Sequence, residues 1–194
     1  MNKPRLAIFQ QRASLSTSER ISSAQAIFHH WQSAKTHWPN SQHIGCYLPV
    51  SGEVDTALFL REMAGAGKTC YLPRLNDDAA LCMVFAEYKM GDPLVKNRFG
   101  ILEPLPEAGV INACDLDIVF TPLVVFDKRG YRLGMGQGYY DRVFAFLQQT
   151  PRAVKPVLIG LAYAFQEVEL VEVFPWDVGL NAVVTEERVR EFFW

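Results

Sequence analysis

Leu116-Asp117-Ile118-Val119-Phe120-Thr121-Pro122-Leu123-Val124-Val125-Phe126 is the stretch on which the reading of the whole chain turns. It is an almost continuous apolar run, rich in β-branched residues, with none of the polar alternation that a strand with one wet face shows. A run of this kind marks a strand covered on both faces, as at the centre of a parallel sheet. Pro122 has no amide hydrogen to give a neighbouring strand, so it marks the strand's end or a bulge.

Towards the N-terminus, residues 16–38 read as a helix. Ser16 and Glu19 have capping-box spacing, Ile21, Ala24, Ile27, Phe28 and Trp31 recur at helical intervals, and Pro39-Asn40 stops it. Residues 43–49 read as a buried strand. A second helix starts at Asp55 or Thr56, runs through Leu58, Phe59 and Met63, and closes at Gly65 and Gly67. Strands follow at 69–73 and, after a turn at Asn76-Asp77-Asp78, at 81–85. Residues 88–109, with Pro93, Pro104 and Pro106 and no clean period, read as an ordered loop. Towards the C-terminus come a helix at 139–149 and strands at 157–162 and 182–185, with a short terminal helix after the last. Strands alternating with helices predict an α/β fold with a sheet covered on both faces. With no repeat, low-complexity tract or linker, residues 1–194 are expected to form one domain.

Composition narrows the function classes. Of 194 residues, 49% are hydrophobic and 21% charged, and the net charge is −2. A nucleic-acid or membrane-surface protein needs a basic surplus, so neither partner is expected. The cysteines Cys46, Cys70, Cys82 and Cys114 form no CxxC pair, and the first three lie in apolar, strand-like runs. They read as free, buried thiols in a reducing compartment. Lys3, Arg5 and Arg12 are not followed by an apolar leader segment, and no run is long enough to span a membrane. The expected location is the cytoplasm.

Chemistry concentrates in Arg132-Leu133-Gly134-Met135-Gly136-Gln137-Gly138-Tyr139-Tyr140-Asp141-Arg142. Three alternate glycines before a helix let backbone N–H groups converge on one point, as an anion or phosphate site requires. The dinucleotide fingerprint fails here, because its third glycine would fall on Tyr139. Gly65-Ala66-Gly67-Lys68-Thr69 imitates a P-loop, but the first required glycine would be Glu62 and the order is helix to strand. Alone, Gly-x-Gly-x-Gly is equally well a tight turn. Arg132 and Arg142 beside it could grip phosphate oxygens, and Asp141 is either a helix-dipole carboxylate or a hard oxygen ligand. His29, His30 and His37 lie on or near the first long helix and read as surface or packing residues.

This segment resembles the motif of the 5-formyltetrahydrofolate cyclo-ligase family, Arg-Leu-Gly-x-Gly-x-Gly-Tyr-Tyr-Asp-Arg. Further pieces are similar in the family's order: Ser51-Gly52-Glu53-Val54-Asp55-Thr56, Phe99-Gly100-Ile101-Leu102-Glu103-Pro104, Thr121-Pro122-Leu123-Val124-Val125-Phe126-Asp127, Gly160-Leu161-Ala162-Tyr163 with Gln166, Trp176-Asp177 and Val183-Val184-Thr185. The resemblance implies a three-layer α/β/α sandwich with a mostly parallel central sheet. It implies ATP-dependent cyclisation of 5-formyltetrahydrofolate to 5,10-methenyltetrahydrofolate through a phosphorylated formyl group, with small-molecule substrates only and a monomer or dimer as the working form.

By the same resemblance, Lys3, Arg5, Arg132, Leu133, Gly134, Met135, Gly136, Gln137, Gly138, Tyr139 and Tyr140 would hold ATP. Leu48, Glu53 and the stretch from Met135 through Gly136, Gln137 and Gly138 to Tyr139 would meet the folate, with Glu53 accepting from the pterin N–H groups. Arg132 and Tyr139 are the candidate catalytic groups, and Asp141 and Asp177 the candidate Mg²⁺ ligands. The chain departs from the family at its start, where Lys3 is closer to Arg5 than usual with Pro4 between, and at Gln137, where many relatives carry lysine. Two other classes fit the same residues: a sugar-phosphate isomerase or acyl-CoA transferase on a similar fold, needing a carboxylate but no ATP, and a non-catalytic folate- or nucleotide-binding protein.

Overall fold

The computed structural model describes residues 3–38, 40–76, 82–149 and 153–193, with residues 3 and 4 as backbone. The elements are α1 (Lys3–Ser14), α2 (Thr17–Ala34), β1 (His43–Gly45), α3 (Ala57–Gly65), β2 (Thr69–Leu75), β3 (Met83–Glu87), β4 (Leu94–Lys96), β5 (Leu102–Pro104), β6 (Val110–Ile111), β7 (Ile118–Thr121), β8 (Val125–Asp127), β9 (Arg132–Leu133), α4 (Tyr139–Val143), β10 (Val157–Leu161), β11 (Glu167–Val168), β12 (Ala182–Val184) and β13 (Val189–Glu191).

The main sheet has the order β13-β12-β10-β7-β1-β2-β3-β6. Its middle, from β12 to β2, is parallel, and β13, β3 and β6 add antiparallel at the edges. The expected α/β architecture with a mostly parallel sheet is what forms. Side chains of β7 alternate between the two faces, as strand geometry requires. Phe120 packs edge-on against Trp31 of α2 and Phe59 of α3, with ring centroids 5.0 and 4.9 Å apart. Val119 points the other way, into a cluster with Val143, Phe144, Leu147 and Leu158. Long helices therefore cover one face, and α4 with the 3₁₀ turn Ala145–Gln148 covers the other.

Several elements differ from the sequence reading. The run 116–126 is not one strand: β7 stops at Thr121, and after Pro122 the chain joins a separate small sheet, β11-β8-β9. Beyond Thr121, β10 keeps only its other neighbour, Leu161 pairing with Val184. The loop 88–109 contains a short hairpin, β4 with β5. The helix expected at 139–149 is a short α-helix followed by the 3₁₀ turn, with Phe144, fully buried, at the break. Instead of a terminal helix, β13 pairs with β12. Helix α1 was not anticipated. The capping box holds: Ser16 N donates to Glu19 Oε2 at 2.8 Å and Glu19 N to Ser16 Oγ at 3.3 Å. Pro39, the turn residues Asp77 and Asp78, and the strand start at Leu81 lie outside the described residues. All four cysteines are free, but only Cys46 and Cys70 are buried; Cys82 is half-buried and Cys114 exposed. Among the described residues no helix is long and apolar enough to cross a membrane.

The β8 turn is held by one carboxylate. Asp127 is fully buried. It accepts from the backbone N–H of Arg129, Tyr131 and Val171 and from the Arg129 guanidinium, the last at 2.8 Å. Burial alone would raise this carboxyl, but the bonds from Val171, Arg129 and Tyr131 outweigh it and hold it below its ordinary value. A depressed carboxylate stabilises the fold at neutral pH, and that stabilisation disappears as pH falls through the folded-state value. Asp127→Asn should therefore cost about 2 kcal/mol at pH 7, read by urea denaturation, and the gap from wild type should close as the pH is lowered below the ordinary carboxylate range.

Candidate active site

The order of the sheet creates the site. From β1 the chain moves to β2 on one side and returns as β7 on the other, so the segments leaving the carboxyl ends of β1 and β7 diverge. A crevice at such a reversal is where open α/β sheets bind ligands. Here it is a cavity of about 1100 Å³. Leu48, Val50 and Glu53 line it from the segment after β1, and Pro122, Leu123 and the glycine loop from the segment after β7.

The cavity brings together Arg5, Leu48, Glu53, Asp177 and the whole stretch from Arg132 to Asp141. Of the residues singled out from sequence, only Lys3 is not placed: its backbone starts α1, and its side chain is outside the described residues. In the glycine loop, Gly136 and Gly138 have φ of +98° and +63°. Both lie in the left-handed region, which glycine enters freely. A Cβ at Gly136 would project toward Arg5, whose Nη1 lies 3.5 Å from that point. Because α4 spans only five residues, the loop's own amides carry more of the anion-binding case than a helix dipole does.

Arg132 is a firmly held cation in the cavity wall. It is 8% exposed, and its Nη1 donates to Val178 O at 2.5 Å and its Nη2 to Asp141 Oδ1 at 3.2 Å. Val178 N donates to the same Asp141 oxygen at 3.1 Å, so the chain just after Asp177 is tied to the glycine loop. Two carboxylates, Asp141 and Asp177, thus sit on one wall. Asp177 Oδ2 accepts from Phe174 N at 2.8 Å. Among the described residues no three His, Cys, Asp or Glu side chains gather into a metal cluster. Two carboxylates beside a phosphate cradle nevertheless fit the way Mg²⁺ is held, by one or two carboxylates, water and substrate phosphate.

Glu53 is the unusual titrating group. Burial pushes its carboxyl up to about 7, against the lowering effects of the Val50 N–H and the Arg12 guanidinium. The Tyr140 hydroxyl is buried without a hydrogen-bond partner and is also pushed up by burial. An orphaned donor and a buried carboxyl in one crevice suit a ligand with complementary polar groups. Tyr139 is oriented differently, its hydroxyl accepting from Arg98 Nη2 at 3.1 Å while the Arg142 guanidinium lies 5.2 Å from its ring centre.

Sequence reasoning named the segments Phe99–Pro104 and Trp176-Asp177 but gave Phe99, Ile101, Phe174 and Trp176 no place in the site. Phe99 and Ile101 come from the loop between β4 and β5, and Phe174 and Trp176 stack at 5.1 Å on the opposite rim. Their position depends on folding, because exposed aromatics in loops carry no periodicity. Glu103 holds the first of these loops, accepting from Leu75 N and Asn97 Nδ2, each at 3.0 Å.

Fold and crevice together define an α/β protein with a glycine-rich loop opening into a partly apolar cleft. A model of the 5-formyltetrahydrofolate cyclo-ligase family matches residues 2–186. The chain is 39% identical over 150 residues to the 5-formyltetrahydrofolate cyclo-ligase of Escherichia coli K12, covering 77% of this chain and 80% of that one. Against the enzyme of the same name from Haemophilus influenzae it is 36% identical, covering 91% and 92%. The solved structure of Aquifex aeolicus 5,10-methenyltetrahydrofolate synthetase superposes with a TM-score of 0.79 at 31% identity, covering 97% of this chain and 91% of that one. A 5,10-methenyltetrahydrofolate synthetase from Mycoplasma pneumoniae gives 0.74 at 27% identity, covering 95% and 98%. The chain belongs to the 5-formyltetrahydrofolate cyclo-ligase family, and with it to the ligases.

The cradle makes a direct prediction. Gly136→Val places a branched side chain at positive φ beside Arg5, so nucleotide affinity measured by calorimetry should fall by about 100-fold or more, while thermal unfolding remains cooperative.

Proposed function

We propose that this chain converts 5-formyltetrahydrofolate and ATP into 5,10-methenyltetrahydrofolate, ADP and phosphate. The observation that carries the reading is the single cavity in which the glycine loop and the Glu53 carboxyl share one space. A phosphate donor and a pterin could there lie side by side.

The chemistry asks for positioning and charge neutralisation rather than a side-chain nucleophile. The formyl oxygen attacks the γ-phosphorus and the bond to the ADP oxygen breaks. N10 then attacks the formyl carbon, the ring closes, and the carbon–oxygen bond breaks to release phosphate, which leaves with the N10 proton. In this reading the amides of residues 134–138 and the cations Arg5 and Arg132 hold the triphosphate. Arg132, locked by Val178 O and Asp141, stays fixed while charge builds on the transferred group. Tyr139, already accepting from Arg98, has its proton to donate to a phosphoryl or formyl oxygen. Gln137 can offer an amide N–H but no charge, which leaves Arg5 and Arg132 as the main side-chain cations.

At the other end, Leu48 gives an apolar contact and the Glu53 carboxylate accepts from the pterin amino and ring N–H groups. Asp141 and Asp177 would hold Mg²⁺, which supplies charge neutralisation at the phosphates. A single-domain protein, working as a monomer or dimer, is part of this reading. Free cysteines are in keeping with a reducing, cytoplasmic setting.

The decisive measurement is methenyltetrahydrofolate absorbance with ATP, Mg²⁺ and the formyl substrate each omitted in turn. All three should be required, and product formed without ATP would favour an isomerase- or transferase-like reaction. Asp141→Ala should abolish magnesium-dependent turnover in a folded protein. Because the Glu53 carboxyl can accept from two pterin N–H groups with both oxygens only when ionised, and lies up at about 7, KM for the folate should rise as pH drops below that value. Glu53→Gln should flatten this dependence.

A further inference from the structure

Arg12 is fully buried and 111 positions in sequence from one of its partners. Its Nη1 donates to Leu123 O at 3.2 Å, and its Nη2 to Val50 O at 3.2 Å and Ser51 O at 2.8 Å. The same Nη2 lies 3.9 Å from Glu53 Oε1, with the two side chains 0% and 6% exposed. The turn it grips is unfavourable on its own. Ser51 has φ of +49°, the described non-glycine residue with positive φ, and Gly52 follows at +75°. The turn closes on itself through Glu53 N to Val50 O and Val50 N to Glu53 Oε2, each at 3.0 Å.

Helix α1 also connects the two ends of the cavity. Arg5, Ile8 and Arg12 share one face, and Ile8 is buried in a cluster with Val124 and Val125. Two turns of helix, about 10 Å, separate Arg5 at the glycine loop from Arg12 at the Glu53 turn. The Arg12 end is pinned from behind, because Arg20 donates to Arg12 O at 2.9 Å and to Leu15 O at 3.1 Å.

We propose that Arg12 is a positioning residue for the folate end of the site, clamping the strained turn of residues 50–53 to α1 so that the Glu53 carboxyl is presented to the pterin as a fixed acceptor. This rests on Glu53 being the pterin acceptor. The clamp acts in two ways. Its three carbonyl bonds fix where the carboxyl sits, and its charge favours the ionised carboxyl against the cost of burial. The other titrating groups facing Glu53 are the hydroxyls of Tyr47, from the segment after β1, and Tyr140, from α4; burial raises both, so neither is charged near neutral pH. Arg12 is therefore the cation that, with the Val50 N–H bond, counters the effect of burial on this carboxyl.

The test compares Arg12→Met, Arg12→Lys, Glu53→Gln and the Met/Gln double variant in the full chain. The readouts are KM for each substrate, the pH profile of kcat/KM for the folate, and thermal unfolding. Arg12→Met should raise folate KM by about 10-fold or more with ATP KM unchanged, and move the acidic limb to higher pH by about half a unit or more. Arg12→Lys keeps the charge but reaches fewer carbonyls, so the limb should stay in place while folate KM rises by about 3- to 5-fold. In the Glu53→Gln background, Arg12→Met should add little. If Arg12→Met does not fold, Arg12→Lys carries the test through its KM split. Equal rises in both KM values, or activity lost only in proportion to the folded fraction, would overturn the proposal. If Glu53→Gln raises folate KM and the Arg12 variants do not, only the clamp fails; if Glu53→Gln leaves folate KM unchanged, the assignment of Glu53 itself fails and the clamp with it.

Discussion

The missing amide hydrogen of Pro122 is the constraint on which the architecture depends. The central strand pairs with β1 through Val119 and with β10 through Thr121. At Pro122 no ladder bond can be donated, and the chain peels away from the sheet. It re-forms pairing two residues later in a second sheet, with Val124 N donating to Leu133 O at 2.7 Å. The departure leaves the crevice above β1 and β7 open and aims the following chain, β8, β9 and the glycine loop, across it. Buried Asp127 then fixes that departure by taking up the turn's backbone donors.

Around this opening, charge is organised by burial. Arg12, Glu53, Asp127 and Arg132 are all largely removed from water, and each has specific partners. Burying a charge costs far more than an ordinary hydrogen bond returns unless partners are provided, so these groups are poor choices for stability alone. Two of them line the cavity, Glu53 from the segment after β1 and Arg132 at the start of the glycine loop. In the proposed reading these two groups serve as the acceptor and the cation for phosphoryl transfer between two bound molecules.

Legibility from sequence followed periodicity. Helix α2 was readable because Ser16 and Glu19 form a capping box and Ile27 and Trp31 repeat at helical spacing, and both features act locally. Helix α1 was not, because its inward face pairs one isoleucine with two arginines, and an arginine reads as solvent-facing unless its distant carbonyl partners are known. The 139–149 region failed for a related reason: apolar spacing continues through Phe144, but burial of that ring against the sheet is satisfied by a break into a 3₁₀ turn. The last residues read as helix and became β13 because β12 offered an unpaired edge, a tertiary fact with no local trace.

The sequence by itself determined the sheet class, the glycine-rich anion loop and the family, since each is written in contiguous residues whose chemistry acts on near neighbours. Only the tertiary structure decided that Leu48 and Glu53 meet residues 132–141, that Phe174 and Trp176 complete the rim, and that Arg12 is buried behind Glu53. Those contacts join segments tens of residues apart across a reversal in strand order. Nothing in the one-dimensional pattern specifies which loop ends face each other until the hydrogen-bonding demands of the sheet have been met.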